Sequence, residues 1–180
     1  MKLIKTLIIT LIASLAAIGA QAQSMKKNDW YGEVGYLGMK LSDNSDVTPK
    51  PKMARFVVGK DINENLSVEG MAGLTTSKYS WSDSGVNSTL SSTTYGIFAK
   101  PKAEIAQGIQ AFARIGLART SWKQDSTAGA ISDSASKVAY GIGLQADFTK
   151  NIYGQLDYMK YASKNSWDAK GWSVSIGTRF

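Results

Sequence analysis

The chain of 180 residues contains no cysteine and no histidine. The first absence excludes a disulfide framework, thiolate metal sites and a lipid-anchored N-terminal cysteine. The second removes Ser-His-Asp and Cys-His catalysis and His-ligated zinc. Proline is sparse, with 3 residues against 17 glycines. No calcium-loop pattern is present. Gly32-x-x-Gly35-x-x-Gly38 lacks the strand-to-helix context of a phosphate loop. The acid pairs Asp43 with Asp46 and Asp125 with Asp133 read as solvated loop residues without a defined cleft. No enzyme, cofactor or metal is therefore expected.

Met1 to Ala22 carries the three parts of a secretory signal peptide. Lys2 and Lys5 supply the positive start, Thr6 to Ala17 is a short apolar run, and Ala20-Gln21-Ala22 is an A-x-A cleavage signature. Cleavage would place the mature start at Gln23 and leave one domain, residues 23–180. The formal charge of +7 becomes +5 once the two leader lysines are subtracted. In an exported chain such scattered lysines suit anionic lipid headgroups better than nucleic acid.

Nothing after Ala22 approaches 18 consecutive apolar residues, so no membrane-spanning helix is predicted there. The chain alternates instead. Trp172, Val174, Ile176, Thr178 and Phe180 share one face of a strand, with Ser173, Ser175, Gly177 and Arg179 on the other. Val138, Tyr140, Ile142, Leu144, Ala146 and Phe148 repeat the pattern. Eight strands are predicted, near 29–41, 52–61, 65–76, 92–102, 107–120, 136–149, 151–162 and 170–180. Each is long enough to cross a bilayer at a tilt. Polar loops at 42–51, 77–91, 121–135 and 163–169 alternate with tight turns at 61–64, 103–106 and near Lys150. Long loops on one side and short turns on the other predict an all-β, eight-stranded antiparallel transmembrane barrel, an up-and-down meander in an outer membrane.

A soluble barrel would alternate too, but the minority face here, of Gly, Ser, Gln and single charges, is a poor hydrocarbon core. Aromatic placement points the same way. Trp81, Trp122, Trp167 and Trp172 fall toward the loop side, and Trp30, Phe148, Tyr153 and Phe180 toward the turn side. Two such sets predict aromatic belts at the two interfaces.

Short segments also resemble the transmembrane domain of the OmpA/OmpX family of small outer-membrane barrels. Ile109-Gln-Ala-Phe-Ala-Arg-Ile-Gly116, after a strand ending Phe98-Ala-Lys100, resembles the family's fifth strand. Asn65-Leu-Ser-Val-Glu-Gly70 resembles the third, and Asn151-Ile-Tyr-Gly-Gln-Leu-Asp-Tyr158 the seventh. Ser173-Val-Ser-Ile-Gly-Thr-Arg-Phe180, with Trp172, Val174, Ile176, Thr178 and Phe180 on its alternating face, resembles the family's C-terminal assembly signal. The resemblance implies the barrel-insertion machinery as a partner during assembly. It does not imply a peptidoglycan-binding domain, since the strands occupy the chain after the leader.

The strand phases turn Arg55, Glu69, Lys100, Arg114 and Asp157 inward, and Glu33 with them, three bases and three acids. The argument is energetic: Arg or Lys facing lipid at midplane costs about 2–4 kcal/mol. Turning Glu33 inward takes Leu37 and Met39 with it. The resemblance implies a salt-bridged plug. Glu69 and Lys100 match its interior acid and lysine, while Gln145 and Gln155 stand where the family has a further acid and arginine. Lys40, Lys50, Lys52, Lys78, Lys123, Lys137, Lys160, Lys164 and Lys170 collect on the loop side, where lipopolysaccharide phosphates are expected partners. The expected function is a monomeric outer-membrane barrel of a Gram-negative bacterium. It would have a structural and surface-interaction role, with a host or surface ligand met through four loops. The alternative is a narrow porin for ions or small solutes.

Overall fold

The computed structural model describes residues 30–43, 49–83, 85–127, 129–164 and 167–180. The leader and the cleavage residues Ala20, Ala22 and Gln23 lie outside them. Nine strands run β1 (Trp30–Asp43), β2 (Lys52–Asn63), β3 (Leu66–Ser77), β4 (Tyr79–Asp83), β5 (Val86–Ala106), β6 (Ile109–Ser126), β7 (Gly129–Asp147), β8 (Ile152–Lys164) and β9 (Trp167–Arg179). Sequential neighbours pair antiparallel except β3 with β4; β1 pairs with β9, and β3 with β5. The sheet is therefore closed. Short β4 sits above β3 against the far end of β5, so the wall counts eight strands.

One row of paired residues measures the stagger. It passes from Lys40 to Lys170, Lys160, Tyr140, Ile115, Ala99, Val68 and Lys60, and returns to β1 at Trp30. The return is 40 minus 30, or ten residues, below the start. With eight strands that stagger implies a tilt of ~40° and an interior just wide enough for side chains.

Alternation then sorts every strand. Val34, Phe56, Val58, Ile97, Leu117, Ile142, Leu156, Val174 and Ile176 point outward, Ile142 being 71% exposed. On a soluble protein so broad an apolar girdle would be untenable; against hydrocarbon it is the required surface. Tyr36, Tyr95, Tyr140, Tyr158 and Trp172 border it on the loop side, and Trp30, Phe148 and Phe180 on the turn side. Here the expected belts need correcting. Trp167 and Tyr153 are buried inside the barrel, and Trp81 and Trp122 pack against its core.

The loop regions differ from expectation as well. Residues 77–91 and 121–135 are mostly strand, and 103–106 continue β5, whose turn is Gln107-Gly108 with Gly108 at φ +71°. Strand β5 has 21 residues, about twice the 9–11 a bilayer crossing needs. The surplus forms a four-stranded sheet of β4, β5, β6 and β7 standing beyond the girdle. Asp125 and Asp133 lie on these strands rather than in loops.

Candidate functional site

Two regions hold the chemistry: the barrel interior and the protruding sheet. The interior is layered. Its middle holds Glu33, Arg55, Glu69, Lys100, Arg114 and Asp157, all buried. Each faces inward because its neighbours in sequence, such as Val34, Phe56 or Ile115, carry the lipid-facing half of the alternation. The structure brings the six together. Arg114 reaches all three acids: both oxygens of Glu69, Asp157 Oδ2 at 2.7 Å and Glu33 Oε2 at 3.3 Å. Arg55 donates a fork to Asp157, Nη1 to Oδ1 at 2.8 Å and Nη2 to Oδ2 at 2.7 Å, and Nη2 also donates to Ser175 Oγ at 2.8 Å. Lys100 Nζ lies 3.3 Å from Glu69 and 3.5 Å from Glu33, over the Phe112 ring.

The two glutamines are built into this set. Lys100 Nζ donates to Gln155 Oε1 at 2.9 Å and Gln145 Oε1 at 3.3 Å, and Gln155 Nε2 donates to Glu33 Oε2 at 2.7 Å. An amide can accept from a base and donate to an acid at once, so Gln155 joins the two without adding charge. Tyr31 and Tyr153 complete the layer on the turn side. Tyr31 Oη donates to Glu69 at 2.7 Å and Tyr153 Oη to Glu33 at 3.0 Å. The sequence reading missed both. Tyr153 shares parity with Gln155 and Asp157, which was the available signal.

Above the charges, on the loop side, the interior turns largely apolar, with Ser92, Thr94 and Thr120 buried among the hydrophobic side chains. Leu37, Met39, Met53, Met159 and Tyr161 are fully buried, with Trp167 capping them. The inward face is thus not uniformly polar, as its sequence suggested. Two layers of different character lie in series.

The protruding sheet has a different character. β8 pairs with β7 only up to Tyr140, opposite Lys160, so, among the described residues, 129–139 of β7 pair with β6 alone. Their other side is a free edge. A polar depression of about 410 Å³ between Ser91, Ser121, Trp122, Lys123, Asp133 and Ser134 lies on the same sheet. Asp133 ties the sheet to the β8–β9 hairpin, accepting from Lys164 Nζ at 2.7 and 2.9 Å and from Trp167 Nε1 at 3.0 Å. These donors, with the Ser134 N–H, hold its carboxyl down at about 2. Lys123 pairs instead with Asp125 at 2.7 Å. Lys78 and Lys137 are exposed on the same extension. Lys40, Lys52, Lys160 and Lys170 stand lower, just beyond the girdle, and Lys50 is exposed in the segment between β1 and β2. On β9, Trp172, Val174, Ile176 and Thr178 face outward, and the Phe180 N–H donates to Trp30 O at 2.9 Å.

Among the described residues, no group of His, Cys, Asp and Glu could hold a metal ion. No curated protein sequence matches the chain. Solved structures resemble it in fold. Ail, the attachment invasion locus protein of Yersinia pestis, superposes with a TM-score of 0.67 at 19% identity, covering 86% of this chain and all 100% of Ail. Neisserial surface protein A gives 0.67 at 14% identity, over 84% and 97%. OprG from Pseudomonas aeruginosa gives 0.59 at 9%, over 89% and 99%. The family model of the outer membrane protein beta-barrel domain matches residues 8–180, and the chain belongs to that family, the small OmpA/OmpX-like barrels of Gram-negative outer membranes.

Proposed function

We propose that the protein is a closed, monomeric outer-membrane barrel whose protruding sheet engages an external partner, and that its interior serves as a plug. The observation that carries this reading is the free edge of β7, residues 129–139, held clear of the membrane. An unpaired strand edge offers a row of backbone donors and acceptors to an extended segment of another molecule. The hydroxyl-rich depression beside it suits polar or sulfated groups. The fold neighbour Ail has been crystallised with the heparin analogue sucrose octasulfate. That likeness supports sulfated polysaccharide as the first class of ligand to try.

The narrow-porin alternative has less support. Three acids and three bases pair within the interior, and the layer above them is filled mainly by Leu37, Met39, Met53, Met159 and Tyr161. Export by the 1–22 leader, with cleavage before Gln23, and recognition of Trp172, Val174, Ile176, Thr178 and Phe180 by the insertion machinery belong to the same proposal.

The test replaces residues 80–89 and 122–133 by short Asn-Gly turns, leaving the membrane part of the wall intact. Cells of a strain lacking its own small barrels, displaying either form, are scored for adhesion to heparin-coated and epithelial surfaces and for serum survival. The full sheet is expected to confer at least one of these properties and the trimmed form none. Equal behaviour of two folded forms would remove the sheet from the function.

A further inference from the structure

Lys40, Lys170 and Lys160 are direct cross-strand partners on three adjacent strands, β1, β9 and β8. All three share the outward parity of Tyr36, Trp172 and Tyr158, so they stand on the membrane-facing side of the wall. The row one step nearer the bilayer is Gly38, Trp172 and Tyr158. Trp172 lies against Gly38, where an added Cβ would come within 3.2 Å of the indole, and its ring centroid is 5.5 Å from that of Tyr36. Aromatic rings of this kind mark the boundary between hydrocarbon and headgroups. Two residues along a strand advance about 7 Å. The lysine row therefore lies at headgroup depth of the outer leaflet.

Such a row is unfavourable by itself. Like charges directly opposite on neighbouring strands repel. Among the described residues, Lys160 reaches one carboxylate, Asp168 at 3.5 Å, while Lys40 and Lys170 form no ion pair. Lys52, opposite Gly38 on β2, adds a fourth outward cation at the flank. Of the other loop-side lysines, Lys123 pairs with Asp125 and Lys164 with Asp133, and among the described residues Lys50, Lys78 and Lys137 form no ion pair but share no cross-strand row. A row of three lysines with one carboxylate near it, aromatic below and facing lipid, keeps a net positive charge and is complementary to phosphate groups carried by a lipid.

We propose that Lys40, Lys160 and Lys170 form a binding site for the phosphorylated headgroup of an outer-leaflet lipid. Its acyl chains would lie along the apolar wall below, over Val34, Leu156 and Val174. The lipid is held from outside by point-charge contacts, and the ammonium groups gain counter-charge beyond that of Asp168. The site depends on the barrel's place in the membrane and not on what the protruding sheet binds.

The full chain, folded in detergent micelles, would be titrated with bisphosphorylated lipid A, its dephosphorylated form and inorganic phosphate, with bound lipid counted by native mass spectrometry. Retention of the bisphosphorylated lipid is expected for the wild type. K40Q/K160Q/K170Q is expected to lose it, by about fivefold per lysine and about a hundredfold for all three. K78Q/K123Q/K137Q removes the same charge from the protruding sheet and is expected to bind as the wild type does. Folding of each variant is read from its shifted gel mobility before heating. Wild-type binding by the row variant overturns the proposal, as does equal loss in the control variant or equal retention of the dephosphorylated lipid. Displacement of lipid by equimolar inorganic phosphate would also overturn it, making free phosphate the ligand. Because no external partner enters the measurement, failure here leaves the adhesion test untouched.

Discussion

Arg114 touches every acid of the charged layer, so its loss should cost more than any other interior change. Arg114→Met leaves three buried carboxylates facing two bases, and removing one partner from a buried pair costs about 3–5 kcal/mol. Lys100→Ala should cost less, about 1–3 kcal/mol, because Glu33 and Glu69 keep Arg114 and their tyrosines. Urea unfolding of both variants tests the ranking; a larger loss for Lys100→Ala would move the hub away from Arg114. At β9 the two faces respond for different reasons. Ile176 lies midway between the aromatic borders, so Ile176→Arg should cost about 2–4 kcal/mol in lipid vesicles. Ser175→Ala, which sequence alone makes a mild change, removes an acceptor from Arg55 and should cost about 1.5 kcal/mol. The inward charges were legible because alternation next to large apolar residues leaves one affordable direction for an arginine. The partners were not, since parity says nothing of which strands meet across the barrel.

At the scale of elements, the protruding strands show where periodicity stops being informative. Alternation is legible when the two faces carry different residue types, and beyond the girdle the sheltered face holds serines such as Ser88 and Ser92 as well as Leu90. Ser88, Thr89 and Ser91 therefore read as loop although they are paired with β6. The eight crossing segments were legible for the converse reason. The Asp133 clasp gives this region a pH dependence. Its carboxyl is held at about 2, below the ordinary value of about 3.9. The clasp therefore contributes fully above pH ~4 and is lost as pH falls toward 2. Trp167 emission should shift across that window, and Asp133→Asn should flatten the shift. A wild-type transition centred near pH 4 instead would mean that the contacts with Lys164 and Trp167 do not form.

At the scale of the whole molecule, the proposed plug rests on two layers in series, and its test must open both. Lys100→Ala disturbs the charged layer and leaves Leu37, Met39, Met53, Met159 and Tyr161 in place. We expect both proteins to be silent in planar bilayers, with steady current only when the apolar layer is also opened, as by adding Leu37→Ser and Met159→Ser. Large wild-type conductance would restore the porin reading. The closure itself, unlike the interior layers, followed from counting strands. The seam between β1 and β9 carries a further consequence. Thirteen residue pairs join the two strands, from Tyr31 with Arg179 to Asp43 with Trp167. The first strand thus gains its second neighbour only when every strand between them has taken its place, and contacts so distant in sequence form slowly. Until then the sheet keeps two unpaired edges, each a template for a foreign strand. A wall short of β9 leaves β1 open along its whole length, so closure itself reports that every strand is present.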